Sequence, residues 1–108
     1  MISIDLTGKK ALVTGGSQGI GAEICRHLAK CGADVFINYH RSEDKAKTLA
    51  KEIRKVSNVK VSIGAADISN AQAVKNMFLQ MDKEIGTLDI LVNNAGCETV
   101  SHALDLEE

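Results

Sequence analysis

A glycine-rich segment at residues 14–21 has residue types and a spacing that could do chemistry. It reads Thr-Gly-Gly-Ser-Gln-Gly-Ile-Gly and lies between an apolar run and a helical pattern. Glycines let the backbone turn tightly and approach a diphosphate, whose charge is attracted by the free N–H groups and dipole at a helix N-terminus. A connection that needs glycine only for its geometry is the alternative. A Walker A loop is excluded, because no Gly-Lys-Ser or Gly-Lys-Thr ends the segment.

The glycines follow the pattern G-x-x-x-G-x-G at Gly15, Gly19 and Gly21. This differs from the G-x-G-x-x-G of the standard dinucleotide fingerprint, so the position of the motif gives it most of its weight. Gly21 is predicted to lie inside the helix and to allow close contact between helix and strand. A turn between a strand and a helix is therefore the expected setting.

Four short runs rich in Val, Ile and Leu, each bounded by Gly, Asn, Asp or Ser, predict buried strands. They are Lys10–Thr14, Asp34–Tyr39, Val59–Ile63 and Leu88–Val92. Between them lie three stretches with helical spacing. The order predicts successive βαβ units, and therefore an α/β fold with a parallel sheet covered on both faces.

The ends of the three helices carry recognisable signals. Gly32 is placed as the C-terminal cap of the first helix and Ser42 as the N-cap of the second. Ser69, followed three residues later by Gln72, predicts the start of the third helix through a capping box. The apolar stripe of that helix is predicted to comprise Val74, Met77, Phe78, Met81 and Ile85.

Composition excludes several classes of protein. The 108 residues carry a net charge of −1, so neither nucleic acid nor an anionic membrane is an expected partner. No apolar stretch approaches the roughly 20 residues that span a bilayer, and a cytoplasmic location is predicted. The three cysteines lack C-x-x-C spacing, so no metal site is expected.

Three motifs together resemble the short-chain dehydrogenase/reductase family. Thr14 to Gly21 is similar to its T-G-x-x-x-G-x-G motif, Asp67-Ile68 follows the third strand where the family places an adenine-binding aspartate, and the fourth strand ends in Asn93-Asn94-Ala95-Gly96, the family's N-N-A-G. The resemblance extends from about Leu6 to the last residue. It is nearest to the 3-oxoacyl-carrier-protein reductase and glucose 1-dehydrogenase-like branch.

The resemblance implies a Rossmann-type sheet of order 3-2-1-4 and a site for a nicotinamide dinucleotide. Asn93, Ala95 and Gly96 would line the adenosine side, and Ile20 would lie near the nicotinamide. An Asn-Asn-Ala-Gly sequence that merely ends a strand is the alternative. The predicted cofactor-binding residues are Gly15, Ser17, Gln18, Gly19, Ile20, Gly21, Asn38, Arg41, Asp67, Ile68, Asn93, Ala95 and Gly96.

The end of the second strand bears on which dinucleotide binds. An acidic residue there hydrogen-bonds the ribose 2′-hydroxyl and repels a 2′-phosphate, but the position is assigned to Asn38. Arg41, just beyond, could hold the phosphate, or it could be only a solvated residue. NADP is therefore the predicted cofactor. Gln18 argues against it, because NADP users of the family often carry Arg or Lys at this position, so NAD is possible.

The family's catalytic Tyr-x-x-x-Lys is absent from this sequence. Its single tyrosine, Tyr39, has Glu43 four residues later. Since a positioned proton donor typically contributes about 10² to 10⁴ in rate, the chain alone is expected to be inactive. An alcohol or ketone substrate is expected only for a full-length form.

The predicted architecture is a partial NAD(P)-binding Rossmann domain over residues 1–108, truncated after strand 4. That apolar strand would lie at the sheet edge, so self-association is expected. A non-catalytic dinucleotide-binding or interaction module is the main alternative. S-adenosylmethionine binding is disfavoured, because the glycine spacing and the Asn-Asn-Ala-Gly segment have no role in it.

Overall fold

The computed structural model describes residues 4–94, which form a single parallel sheet flanked by helices. The strands are β1 (Lys10–Thr14), β2 (Asp34–Tyr39), β3 (Val61–Ala65) and β4 (Ile90–Asn93), and the helices are α1 (Gly19–Lys30), α2 (Glu43–Val56) and α3 (Ala71–Glu84). The strand order is β3-β2-β1-β4, with every pair parallel. The predicted α/β class and sheet order are confirmed.

The register aligns the carboxyl ends of the four strands. Thr14 of β1 pairs with Asn93 of β4, and Asn38 of β2 pairs with Gly64 of β3. In an open parallel sheet, ligands bind outside the carboxyl ends of the strands, at the point where the strand order reverses. Here that point lies between β1 and β4, and the glycine segment begins at the carboxyl end of β1.

Each face of the sheet buries its own apolar cluster. One cluster joins α1 and α2 to Val13, Val35, Ile37 and Val61 of the strands. The other packs Met77 and Met81 of α3 against the opposite face. Right-handed crossovers on the two sides of β1 produce this division, because the chain reverses direction across the sheet after β3.

Two predicted strands begin two residues later in the structure than the sequence predicts. Predicted Val59–Ile63 is observed at Val61–Ala65, because the pairing with β2 continues through Tyr39 and Ala65. Predicted Leu88–Val92 is observed at Ile90–Asn93. Just before β4 begins, the Lys10 N–H donates a 2.9 Å hydrogen bond to the Asp89 side-chain carboxylate and not to a backbone carbonyl.

The predicted cap of the third helix is wrong by one residue. Asn70, not Ser69, is the N-cap of α3, and its side chain accepts a 3.0 Å hydrogen bond from the Ala73 N–H. The Ser69 hydroxyl instead donates to Asp67. Phe78, predicted to lie in the apolar stripe, is 37% exposed. The other predicted ends agree: Gly32 follows α1 with a φ of +103°, and Ser42 precedes α2.

Within residues 4–94, no helix is both long and apolar enough to cross a membrane.

Candidate functional site

The glycine segment forms the turn from β1 into α1, as predicted. Gly15 and Gly19 have φ values of +60° and +59°, in the left-handed region that glycine enters without a steric penalty. A Cβ atom on Gly21 would lie 2.3 Å from the Gly15 carbonyl oxygen and 2.9 Å from the Gly16 Cα. The three motif glycines are therefore each required by the path of this backbone.

Asn38 of β2 and Asn94, directly after β4, hold the backbone N–H and carbonyl of Gly15, the first glycine of the turn. The Gly15 N–H donates to the Asn38 side-chain oxygen at 3.0 Å, and the Gly15 carbonyl accepts from the Asn94 side-chain nitrogen at 3.0 Å. The Gly16 N–H donates to the Asn38 carbonyl at 2.9 Å. Hydrogen bonds on both sides of β1 thus fix the orientation of the turn.

The start of α1 is accessible and electrostatically suited to an anion. Gly19 and Ile20 are exposed, and the first turn carries no acidic residue. The Gln18 side chain, at the N-cap, does not accept from the helix N–H groups and instead accepts from Lys45. The N–H groups and dipole at this helix end therefore favour a diphosphate, and the close packing that excludes a Cβ at Gly21 gives the backbone the shape such a group needs. These residues fit a dinucleotide.

Asn38, predicted among the cofactor-binding residues, lies at the end of β2. It is only 1% exposed, and its amide nitrogen donates to the carbonyl oxygens of Gly64 at 3.4 Å and Ala66 at 3.2 Å. A buried amide with these partners supports the turn, and a role of Asn38 in binding the cofactor stays a prediction. Placing asparagine there still leaves the end of β2 without a carboxylate.

A carboxylate lies beyond the end of β3, where the sequence places Asp67. One of its oxygens accepts from the Ser69 N–H at 2.9 Å and from the Ser69 hydroxyl at 2.7 Å. The other lies 3.7 Å from His40 Nε2. The Ser69 hydrogen bonds, with smaller contributions from the charges of His40 and Arg41, hold the pKa of Asp67 below its usual value. Asp67 is therefore an ionised acceptor, and the neighbouring Ile68 is 36% exposed.

The end of β4 contacts the turn through its asparagines. The Thr14 hydroxyl lies 3.2 Å from the Asn93 side-chain oxygen, and the Asn94 N–H donates to that hydroxyl at 2.8 Å. Asn94 was not among the predicted site residues, although it lies within the quoted motif. Ala95 and Gly96, which were, lie outside the described residues.

Cys25 of α1 packs against the turn. It is fully buried, with its Sγ 3.7 Å from the Gly16 carbonyl oxygen. Burial raises the pKa of the Cys25 thiol to about 12. A neutral thiol in this position supports the turn by packing.

Comparison with known proteins identifies the family. A family model described as short chain dehydrogenase matches residues 9–108. The chain belongs to the short-chain dehydrogenase family. A hydroxynaphthalene reductase-like protein from Metarhizium robertsii is 44% identical over 93 residues, covering 86% of this chain and 34% of the relative. Elsinochrome reductase 1 from Elsinoe fawcettii is 39% identical over 103 residues, covering 95% of this chain and 38% of the relative.

Solved short-chain dehydrogenase structures share the fold. A dehydrogenase/reductase from Sinorhizobium meliloti superimposes with a TM-score of 0.82 at 40% identity, over 87% of this chain and 37% of that one. A short chain dehydrogenase from Burkholderia cenocepacia in complex with NADP superimposes with a TM-score of 0.79 at 45% identity, over 84% of this chain and 37% of that one. Across these curated relatives and solved structures, the chain spans between about a third and two fifths of the length of the protein it matches.

Proposed function

We propose that this chain supplies the dinucleotide-binding part of an NAD(P)-dependent oxidoreductase that transfers hydride between the cofactor and an alcohol or ketone. The single observation that carries the proposal is the Gly15 backbone, whose N–H and carbonyl are held by Asn38 and Asn94 in the turn that leads into α1. The bound nicotinamide would supply or accept the hydride. The chain's own residues bind and orient the cofactor.

Each part of the dinucleotide has a candidate binding group. The backbone from Gly15 to Gly21, with the Ser17 and Gln18 peptides, would hold the diphosphate through N–H groups. Asp67, beside Ile68, would accept from the adenine amino group. Ile20, which is 70% exposed, would present an apolar surface to the nicotinamide. The predicted roles of Asn93, Ala95 and Gly96 on the adenosine side are part of the same proposal.

NADP is the proposed cofactor, and NAD is the second candidate. Asn38 leaves no carboxylate at the end of β2 to repel a 2′-phosphate, and the exposed Arg41 follows the strand. Among the similar structures, the Burkholderia cenocepacia protein is in complex with NADP, and the L-sorbose reductase from Gluconobacter frateurii, 33% identical, is complexed with NADPH and L-sorbose. These two complexes support the proposal that this related chain binds the phosphorylated dinucleotide.

Turnover by the 108-residue chain is not expected, because its sequence holds no Tyr-x-x-x-Lys. An alcohol or ketone substrate is proposed only for a protein that contains the remaining family motifs. The reductases among the relatives support that substrate class. The cytoplasmic location stays a prediction from the sequence.

Equilibrium dialysis of the purified chain against NADPH and NADH tests the proposal. Saturable binding of at least one dinucleotide is expected, and Gly21→Ala should abolish it by displacing the Gly15 carbonyl. Asn58→Ala is the control, since Asn58 is exposed and lies outside the turn. A folded chain that binds neither dinucleotide would overturn the proposal.

One observation favours a second candidate, a non-catalytic interaction module. Leu91 on β4, the edge strand of the described sheet, is 54% exposed. An apolar edge strand can pair with another chain. NADPH binding without turnover is expected of both candidates, so analytical ultracentrifugation separates them: a defined assembly that dissociates on Leu91→Lys would favour the module.

A further inference from the structure

Lys45 reaches the phosphate-binding turn from the first turn of α2. Its Nζ donates a 2.5 Å hydrogen bond to the Gln18 side-chain oxygen, which belongs to the N-cap residue of α1. A lysine ammonium has three donors. Lys45 is exposed, so the donors that do not bind Gln18 are accessible to a ligand.

The space between the turn and α2 is a groove of about 560 Å³. Ser17, Gln18 and Gly19 form one wall, and Asp44, Lys45 and Thr48 form the other. Its lining comes from the start of α1 and from α2, the helix that follows β2. In this kind of sheet, a residue at the end of the second strand contacts the ribose 2′-hydroxyl, and a nearby basic residue accommodates a 2′-phosphate.

The charges in the groove leave Lys45 as the cation nearest the turn. Arg26, at the far end, is bound to Glu52 at 2.6 Å and to Glu23 at 2.8 Å. Asp44 lies in the same wall and opposes an anion. The charge of Lys45 is therefore the attractive element and Asp44 the repulsive one.

Arg41, the cation that the sequence offers for the phosphate, lies near the Asp67 carboxylate. His40 Nε2 is 3.7 Å from the Asp67 carboxylate, and the positive charge of Arg41 acts on the same carboxylate. Arg41 thus belongs to the surroundings of Asp67. Gln18, which replaces a basic residue of many NADP users, gains a cation through its hydrogen bond with Lys45.

We propose that Lys45, positioned by Gln18, binds the 2′-phosphate of NADP and sets the preference of this site for NADP over NAD. This assignment rests on the proposed dinucleotide-binding function. Lysine holds a phosphate as a compact point charge and needs no bidentate geometry, so an ammonium held at the groove wall is sufficient.

The dissociation constants of NADPH and NADH for the purified chain and its variants test the assignment. Lys45→Met should weaken NADPH binding about 10-fold, the scale of one charge-assisted hydrogen bond, and leave NADH unchanged. Lys45→Arg should retain NADPH affinity. Asp44→Asn should strengthen NADPH binding and leave NADH unchanged, because it removes the repulsive charge.

Lys47→Met is the matched control, because Lys47 lies on the same helix, pairs with Glu43 at 2.9 Å and is not part of the groove. It removes the same charge and should change neither constant. If the unsubstituted chain binds NADPH and the Lys45→Met variant binds it equally well, the assignment of Lys45 is overturned while the proposed function stands. If a folded, unsubstituted chain binds neither dinucleotide, both are overturned. A Lys45→Met variant that loses NADH and NADPH affinity equally overturns the specific role in 2′-phosphate recognition.

Discussion

The Asn38 side-chain oxygen accepts a 3.0 Å hydrogen bond from the backbone N–H of Gly15. The same amide donates to the carbonyl oxygens of Gly64 and Ala66, so one buried side chain ties the turn after β1 to the end of β3. Amide groups can satisfy a donor and several acceptors at once, whereas a carboxylate only accepts. The chemistry of asparagine is therefore needed at this position for the shape of the turn.

Asn38→Asp is expected to destabilise the chain and not to convert it into an NAD-specific protein. The new carboxylate oxygen would face the Gly64 and Ala66 carbonyls in a site that is 1% exposed. A loss of about 3 kcal/mol in the free energy of unfolding is expected from an unmatched buried charge. Urea unfolding followed by far-UV circular dichroism measures it.

Asn58→Asp provides the control for this substitution, because Asn58 is exposed. It makes the same chemical change and should alter the free energy of unfolding by less than about 0.5 kcal/mol. An Asn38→Asp chain with unchanged stability and a preference for NADH would refute the supporting role of Asn38.

Gly21→Ala is expected to disturb the turn more than the rest of the fold. Its Cβ would lie 2.3 Å from the Gly15 carbonyl oxygen and 2.7 Å from the Asn94 side-chain nitrogen. Overpacking of this kind costs about 1–3 kcal/mol. Amide exchange measured by NMR should show loss of protection in the turn, with α3 unchanged. Equal loss of protection across the whole chain would contradict a local effect.

The Cys25 thiol is expected to be inert in the folded chain. It is fully buried, and a pKa of about 12 leaves its thiolate population at pH 8 on the order of a thousandfold below that of an ordinary cysteine. In a variant that retains Cys25 alone, labelling by a disulfide reagent should require denaturant. A variant that retains only the half-buried Cys31 is the control and should react faster. Rapid native labelling of Cys25 would contradict its position under the turn.

Asp34 is expected to make stability depend on pH through a pair far from the site. Burial alone would raise its pKa, but hydrogen bonds from the Lys10 side chain at 2.8 Å and the Lys60 N–H at 2.9 Å hold the pKa below its usual value. The stabilisation is therefore present above the unfolded pKa of about 3.9 and is lost as pH falls through the folded value.

Asp34→Asn checks this expectation. The variant should unfold with about 1 kcal/mol less free energy at pH 7 and should lose less stability below about pH 4 than the unsubstituted chain does. Unfolding curves at a series of pH values measure both effects, and dinucleotide affinity should not change. Identical pH profiles for the two chains would be the opposing result.

The sequence predicts the fold well because apolar runs and glycine punctuation are local signals. Four strands, three helices and the turn at Gly15 follow from them, and the sheet order is implied by the family resemblance. Strand ends such as Ala65 depend on pairing partners that are distant in sequence. The contacts of the site are less accessible to this reasoning. Asn38 and Asn94 act through hydrogen bonds to Gly15, and Lys45 acts through Gln18, which are tertiary contacts that no local pattern encodes.

Titration of the isotopically labelled chain with NADPH, followed by amide NMR, tests the central claim most directly. A folded chain shows dispersed amide signals before any ligand is added. NADPH is then expected to shift the amide signals of Gly15, Ser17, Gln18, Gly19 and Ile20 saturably, with smaller changes in α3. Dispersed signals that do not move in the turn at saturating NADPH would contradict the account.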